Sequence, residues 1–339
     1  MNHVEYTCAK TRFDFTIFHA YKAMALSVRD RLIERLNDTS ESVEEQKLSK
    51  QHIIASEFML GKRLRLNLVN IGLEDQFKQA LHNLGNFNLD LIYEQEAEKS
   101  LGMAGLGITT ASLLEQKASM AKPAWGYCIR YDYGSFEQRF DVEGRQLEKP
   151  DFWDDQGRPW EIPRQDVCYK VHFGGRVRKK VESPSDKSME WEPEETILAM
   201  AYDIPIPGFD TMHCNCLRLW GAKPVSEFDL ELFNEGEYYK AIEQQMRAGL
   251  ITSVLDYSKV GRDKQELRLK QEYFLCAAST RDIVERFKFQ HCEQRPGSSA
   301  SSISLSEEEQ KGENVYAGPI TAINWINFAK ENEILLNDT

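Results

Sequence analysis

Residues 101–116 carry the residue types that most directly suggest chemistry, because glycines, hydroxyls and a helical pattern follow one another there. The stretch reads LGMAGLGITTASLLEQ, with Gly102, Gly105 and Gly107 ahead of two threonines. A glycine-rich turn that opens a helix can bring backbone N–H groups close to a phosphate or a sugar. It can equally be a tight turn before a buried helix. GMAGLG has the spacing GxxGxG rather than the dinucleotide GxGxxG, so the glycines alone leave both interpretations open.

The local cluster His213-Cys214-Asn215-Cys216 is too small for a structural metal site. It lacks a second ligand pair, and in a strand its cysteines would share one face while His213 lies on the other. The 7 cysteines are an odd number scattered along the chain, which favours reduced thiols over a disulfide framework. We therefore predict no metal ligands.

Composition and charge indicate which classes of partner such a chain would bind. Its 339 residues are 41% hydrophobic and 28% charged, which is typical of a soluble globular protein with one large or two ordinary domains. A net charge of −12 disfavours nucleic acid and anionic membranes. No stretch approaches the ~18 apolar residues of a membrane span, and the start MNHVEYTCAK lacks a signal-peptide core. These features predict a cytoplasmic protein that binds neither nucleic acid nor membrane.

The elements that must position the glycine-rich stretch are helical at first and strand-rich later. Apolar residues at helical spacing predict helices over 16–37, 47–60 and 74–83, so residues 1–90 are predicted to be mainly helical. Aromatic and β-branched residues then predominate, and residues 91–225 are predicted to be rich in loops and strands.

Strand and helix patterns continue to mix in the second half of the chain. Predicted strands are VCYKVHF, TILAMAYDIPIPG and CLRLWGA. Long helical patterns follow at 226–255 and 264–289, so residues 226–290 are predicted to be helical. Strands and helices mixed on this scale predict an α/β fold.

The sequence at the end of the chain predicts a disordered segment followed by a second ordered segment. Residues 291–315 are polar, serine-rich and acidic, which predicts a disordered insert. An ordered pattern resumes over 316–339, where EILLNDT predicts a buried strand that enters a functional loop. Globular domains rarely stop at such a point, so we expect a chain truncated partway through a domain.

A series of further motifs carries a resemblance that covers nearly the whole chain. In order, they are SVRD (27–30), EFMLGK (57–62), LGMAGLG (101–107), PAWGYCIRYDYGSFEQ (123–138), RPWEIPR (158–164), LAMAYDIPIPGF (198–209), NCLRLW (215–220), ELRLKQEYF (266–274) and LNDT (336–339). In this order and spacing the chain resembles the α-1,4-glucan phosphorylases, the glycogen and starch phosphorylases, in their fungal-like form.

The resemblance implies a dimeric glycosyltransferase that depends on pyridoxal 5′-phosphate, with two Rossmann-like domains facing across a cleft in the glycosyltransferase-B arrangement. Such enzymes move glucose from the end of an α-1,4-glucan onto phosphate and release glucose 1-phosphate. The chain would be the N-terminal Rossmann-like domain, truncated before the cofactor-binding domain. The cofactor lysine and the catalytic groups would follow Thr339, so we assign no catalytic, cofactor-binding or metal residue.

The resemblance also gives the glycine-rich stretch a role, since the family reads DAGLGNGGLGRLAA there and its backbone amides face phosphate and glucose. Five residues depart from this pattern, two of them Lys99 and Ser100. Of the other three, Met103 replaces an amide, Ala104 a glycine, and Ile108 a basic residue. These changes remove hydrogen-bonding groups, so we expect the role of the loop in the fold to outlast its role in binding. The substrate-loop positions that match are Gly102, Gly105, Leu106 and Gly107.

Two further stretches show the same loss. At the family's gate loop, Lys259 replaces an aspartate and Val260 an asparagine, which removes acceptors for a sugar. In the EF motif, Glu57 is retained as support for the glycine-rich loop, but Met59 replaces a tyrosine that contacts the cofactor. These substitutions predict that the chain has lost catalysis but has kept the residues that pack its fold.

Regulation is predicted to be reduced as well, although some members of the family are allosteric enzymes. An arginine pair that binds a nucleotide phosphate in those members aligns with Glu285 and Arg286. The reversed charge at Glu285 would disfavour a phosphate.

Aromatic and acidic residues outside these loops have a structural interpretation beside a functional one. Four aromatic residues could stack on sugar rings, but strand-rich surroundings favour core and strand packing: Tyr127, Tyr131, Tyr133 and Phe136. Glu161 could act as an acid, but it has no visible partner in the sequence and is predicted to be structural.

The chain is thus expected to descend from glycogen phosphorylases, which degrade glycogen to glucose 1-phosphate, and to be inactive by itself. Alternatives are a non-enzymatic protein that binds α-1,4-glucan, a partner that pairs with itself or with a full-length phosphorylase subunit, and a gene remnant.

Overall fold

The computed structural model describes most of the chain. The ranges are 2–11, 13–85, 87–101, 105–134, 137–152, 157–179, 189–226, 228–255, 262–292 and 334–336. The predictions for Gly102, Met103, Ala104, Lys259 and Val260 lie outside the described residues, as does nearly all of the predicted insert.

Helices and strands are mixed along the described residues after a π-helical turn at His3–Thr7. The helices are α1 (Ile17–Glu45), α2 (Leu64–Ile71), α3 (Glu74–Gly85), α4 (Leu89–Glu94), α5 (Gly105–Ser119), α6 (Leu230–Asn234), α7 (Tyr238–Ala241), α8 (Glu243–Thr252) and α9 (Arg262–Cys292). The strands are β1 (Gln51–Ile54), β2 (Phe58–Gly61), β3 (Lys99–Leu101), β4 (Ala124–Ile129), β5 (Glu137–Phe140), β6 (Gln146–Lys149), β7 (Ile162–Phe173), β8 (Arg176–Lys179), β9 (Met189–Glu192), β10 (Glu195–Pro207), β11 (Cys214–Pro224) and β12 (Ile334–Leu336).

A six-stranded sheet organises these elements, with the strand order β12-β1-β4-β11-β10-β7. Strands β12, β1, β4 and β11 run parallel to one another, whereas β10 is antiparallel to both β11 and β7. Nearly every residue of β11 is buried, as expected for a strand covered on both faces. This mixed α/β architecture with a partly parallel sheet confirms the predicted fold class at that level.

Successive residues of β4 show how helices cover the two faces of the sheet. A Cβ atom on Gly126 would lie 2.8 Å from Leu217 Cδ1 and 3.0 Å from Leu114 Cδ2, so glycine allows α5 to pack closely here. The next residue, Tyr127, lies on the opposite face, where its hydroxyl donates to Asp282 of α9 over 3.0 Å. The sheet is therefore sandwiched between α5 and α9.

A buried network of charges fixes α9 on its face of the sheet. Arg218 of β11 donates twice to Asp203 of β10, each over 2.8 Å, and once to Asp282 over 2.6 Å. Asp282 also accepts from the hydroxyls of Tyr127 and Tyr169, over 3.0 and 3.2 Å. Because buried charges are costly unless they are paired, this network determines where α9 can dock.

Two predicted helices differ from the structure. The helix predicted over 47–60 is wrong, because β1 and β2 occupy half of that range and none of its residues is helical. QHII is too short for periodicity to distinguish a strand from a helix, and pairing with β4 and β12 makes it a strand. The helical pattern over 226–255 contains three short helices, α6, α7 and α8, instead of long ones.

Other predictions are confirmed with modest changes of boundary. Helices α1, α3 and α9 include or closely match the predicted ones, and β7, β10 and β11 contain the predicted strand motifs. The strand predicted in EILLNDT is β12, which pairs with β1. Within the described part of the chain, no helix is both long and apolar enough to cross a membrane.

Candidate functional site

Glu57 lies just beyond the carboxyl end of β1, the edge at which open α/β sheets bind ligands. The segment that leads to it is held by the neighbouring strand, since the Ala55 amide donates to the Tyr127 carbonyl over 3.1 Å. The Ser56 carbonyl accepts from the Tyr131 hydroxyl over 3.1 Å. Sheet pairing and a buried tyrosine therefore fix the backbone on which Glu57 is carried.

Gly107, in the first turn of α5, packs directly against this segment. A Cβ atom on Gly107 would lie 2.7 Å from Met59 Cγ and 3.3 Å from both Glu57 Cβ and Glu57 Oε2. A separation of 2.7 Å is too short for two carbon atoms, so only glycine fits without displacing Met59. The close approach of α5 to residues 57–59 is thus the physical reason for this glycine.

Gly105, the first residue of α5, has a different environment. A Cβ atom there would meet no atom within 4 Å, and the residue is exposed. Leu106 is half-buried and the side chain of Ile108 is 57% exposed, so the first turn of α5 has an open side beside its packed one. Among the candidate positions, the structure brings Glu57, Met59 and Gly107 together.

The hydroxyl of Thr110 joins α5 to the Glu57 segment. It donates to the Glu57 carbonyl over 2.7 Å and lies 3.1 Å from the carbonyls of Leu106 and Gly107. Our sequence reasoning missed this role. A hydroxyl-bearing residue on the buried stripe of a helix was the available signal, since such a group needs a partner.

The electrostatics of the candidate site are dominated by a buried carboxylate. The side chain of Glu57 is 4% exposed and lies at the N-terminal turn of α5, where the helix dipole favours negative charge. Burial raises the pKa of the nearby Cys128 thiol far above its usual value, and the charge of Glu57 raises it further. Cys128 is therefore protonated at neutral pH and cannot serve as a nucleophile.

Behind the candidate site, the RPWEIPR motif forms a buried ion-pair cluster. Arg130 Nε donates to Glu161 over 2.8 Å, and Arg158 lies 3.5 Å from the same carboxylate. The Trp160 indole donates to Glu96 over 2.8 Å, and Glu96 also accepts from the amide of Leu64 at the start of α2. Glu161 is only 5% exposed, which confirms its structural interpretation.

The structure also gives the positions of the other residues that had both a functional and a structural interpretation. Tyr127 and Tyr131 are 0% and 1% exposed, which confirms core packing for these two residues. Core packing is wrong for Tyr133, which is 38% exposed and lies against the ring of Phe152 at the surface. The prediction for Phe136 lies outside the described residues. His213 contacts the Asn215 side chain over 3.0 Å. Arg286 bonds Asp282 over 3.1 Å and lies 3.4 Å above the Trp125 ring, so its guanidinium is engaged within the protein.

Comparison with known proteins agrees with the motifs. A family profile described as carbohydrate phosphorylase matches residues 81–306. Glycogen phosphorylase 2 of Dictyostelium discoideum is 40% identical over 288 residues, which is 85% of this chain and 29% of that protein. Glycogen phosphorylase of Saccharomyces cerevisiae is 39% identical, with coverages of 85% and 33%. An alpha-glucan phosphorylase H isozyme of Solanum tuberosum is 37% identical, with coverages of 99% and 37%.

The fold and these matches together define the class of protein. It is an α/β protein whose candidate site lies at the carboxyl ends of parallel strands. The chain belongs to the carbohydrate phosphorylase family. It spans about a third of the length of the curated relatives that it matches.

The family uses pyridoxal phosphate, whose phosphate group needs hydrogen-bond donors or cations around it. The side chains packed against Gly107 are a carboxylate, Glu57, and a thioether, Met59. An ionised carboxylate accepts hydrogen bonds without donating any, and a thioether is only a weak acceptor. Neither side chain donates a hydrogen bond, so these two side chains do not fit a cofactor phosphate.

Proposed function

We propose that this chain is the N-terminal Rossmann-like part of a glycosyltransferase-B type α-1,4-glucan phosphorylase. The whole protein would transfer glucose from glycogen or a related glucan to phosphate, in the cytoplasm and as a dimer. The observation that carries the proposal is the close packing of Gly107 on Glu57 at the carboxyl end of β1, in a chain of this family. The open side of the α5 turn at Gly105 supports the proposal that this turn faces the glucan.

We further propose that this chain does not catalyse the reaction by itself. The side chain beside Gly107 that should contact the cofactor is Met59, which offers no donor to it. The substitutions at Lys259 and Val260 add to this proposal, because a cation and an aliphatic group replace two hydrogen-bond acceptors.

The test is an assay for glucose 1-phosphate with glycogen, phosphate, added pyridoxal phosphate and the purified chain. The glycogen phosphorylase of Saccharomyces cerevisiae provides the active control. We expect turnover by the control and none by the chain. Product that increases in proportion to the concentration of this chain would contradict its inactivity.

A non-catalytic glucan-binding function is the second candidate, either alone or in a pair with a full-length subunit. It is favoured by the open environment of Gly105 in the helical turn whose Gly107 packs on the buried carboxylate of Glu57, because an uncharged sugar needs no cation. Co-sedimentation with glycogen tests it, with cellulose as the control for linkage. Pelleting with glycogen alone supports binding, and chain left in the supernatant in both tubes contradicts it.

A further inference from the structure

Thr110 occupies an unusual position for a hydroxyl group. Its side chain is 0% exposed and lies in the stripe of α5 that faces the core, beside Ala111 and Leu114. A threonine in a helix commonly returns its hydroxyl to the carbonyl three or four residues earlier. Here the shortest bond, of 2.7 Å, instead leaves the helix and reaches the carbonyl of Glu57.

The bond to residue 57 matters because the backbone carbonyl and the side-chain carboxylate of that residue both contact one face of α5. The carbonyl of Glu57 receives the Thr110 hydroxyl, while its carboxylate oxygen Oε2 lies 3.3 Å from the place of a Gly107 Cβ. Thr110 and Gly107 are successive points on one face of α5, three residues apart. The hydroxyl therefore fixes the backbone from which the carboxylate projects.

We propose that Thr110 is a positioning residue of the glucan site. Its hydroxyl holds the Glu57 segment against the first turn of α5. The position of Glu57 relative to the open side of that turn is thereby fixed. The inference rests on the proposed function, since it takes a glucan as the ligand of this turn. Thr110 touches no ligand itself and acts through residue 57.

Three variants of the full chain separate this role from general packing. Thr110→Val keeps the shape of the side chain and removes the donor, whereas Thr110→Ser keeps the donor. Thr109→Val is the matched control, because the exposed Thr109 hydroxyl donates only to Gly105 within its own helix, over 2.8 Å. Each variant is measured by amide hydrogen exchange and by maltoheptaose binding in calorimetry.

We expect Thr110→Val to speed exchange in residues 55–61 by about threefold to tenfold, the loss of one buried hydrogen bond. We expect it to weaken maltoheptaose binding by a similar factor. Thr110→Ser should restore both properties, and Thr109→Val should leave exchange in residues 55–61 unchanged. Exchange in β11, which does not contain the bond, should be the same in all four proteins.

Two results would overturn the inference. One is equal exchange in residues 55–61 for Thr110→Val and Thr109→Val. The other is faster exchange in β11 as well, which would make Thr110 an ordinary core residue. Failure of the wild-type chain to bind maltoheptaose would instead contradict the proposed function, and the exchange data would still decide whether Thr110 positions residue 57.

Discussion

At the scale of single residues, the two glycines of α5 have opposite environments, and this gives a direct test of the packing. Gly107→Ala places a methyl group 2.7 Å from Met59 Cγ, whereas Gly105→Ala meets nothing within 4 Å. We expect Gly107→Ala to lower the free energy of unfolding by about 1–3 kcal/mol through overpacking. Gly105→Ala should be neutral or stabilising by up to about 1 kcal/mol. Urea unfolding followed by circular dichroism measures both.

The double variant Gly107→Ala/Met59→Ala provides the control for this prediction. Removing the Met59 side chain beyond Cβ opens the space that the new methyl group needs, so the two substitutions should be non-additive. If Gly107→Ala and Gly105→Ala unfold at the same urea concentration, α5 does not approach residues 57–59 as closely as the structure indicates.

Sequence reasoning could find Gly107 and Glu57 but not what joins them. A resemblance aligns residues one by one, and so it gave Glu57 as support for the loop of Gly107 without giving the contacts between them. The partner of Thr110 is determined by how the end of β1 and α5 lie in space, since Thr110 and Glu57 are 53 residues apart in the chain. No local pattern encodes that distance.

At the scale of elements, the docking of α9 depends on Asp282. Asp282→Asn keeps the shape of the side chain but leaves Arg218 and Arg286 with less negative charge in a buried site. We expect a loss of about 3 kcal/mol in unfolding free energy, since removing one partner of a buried network leaves charge uncompensated. Denaturant unfolding at neutral pH measures the loss.

Glu243→Gln is the matched control for Asp282→Asn. Glu243 pairs with Arg247 over 2.6 Å, but both side chains are about half exposed. Solvent-exposed pairs contribute about 0–1 kcal/mol, so this variant should be close to the wild type. Equal losses in the two variants would contradict a stabilising role for the buried network.

Elements were predictable from the sequence where a periodic pattern extended over many residues. The wrong predictions concern elements that are only a few residues long. The 31 residues of α9 and the 13 residues of β10 give an extended pattern, and both were predicted. The 4 residues of β1 do not, because QHII suits either a helix or a strand. Its strand state comes from hydrogen bonding to β4 and β12, which are distant in sequence.

At the scale of the whole molecule, a neutral histidine lies inside the sheet. His52 is 8% exposed, between β12 and β4, and its ring centroid is 5.9 Å from that of Tyr127. Burial is the main cause that lowers the pKa of His52 to about 4, and Arg286 and Lys50 lower it further while Asp282 opposes them. The folded chain therefore keeps this ring neutral under mildly acidic conditions.

This neutral ring makes the stability of the molecule depend on pH. Below about 6.5, the usual pKa of histidine, the unfolded chain binds a proton at His52 that the folded chain does not bind until about pH 4. The contribution of His52 to stability is therefore fully present above pH 6.5 and decreases as the pH falls towards 4, by at most about 3 kcal/mol. His52→Gln has no proton to gain, so its unfolding free energy should fall less between pH 7 and pH 4.5. Urea unfolding at several pH values measures the difference.

His82→Gln is the control, because His82 is exposed on α3 and its ring stays in water in both states. If His52→Gln and wild type lose the same stability on acidification, the ring of His52 is accessible to protons in the folded chain. In that case β1 would open at the edge where β12 pairs, and the sheet would lack the close packing that holds Glu57. If only His52→Gln resists acid, the sheet is closed over His52, and the segment that leads from β1 to Glu57 begins from a rigid strand.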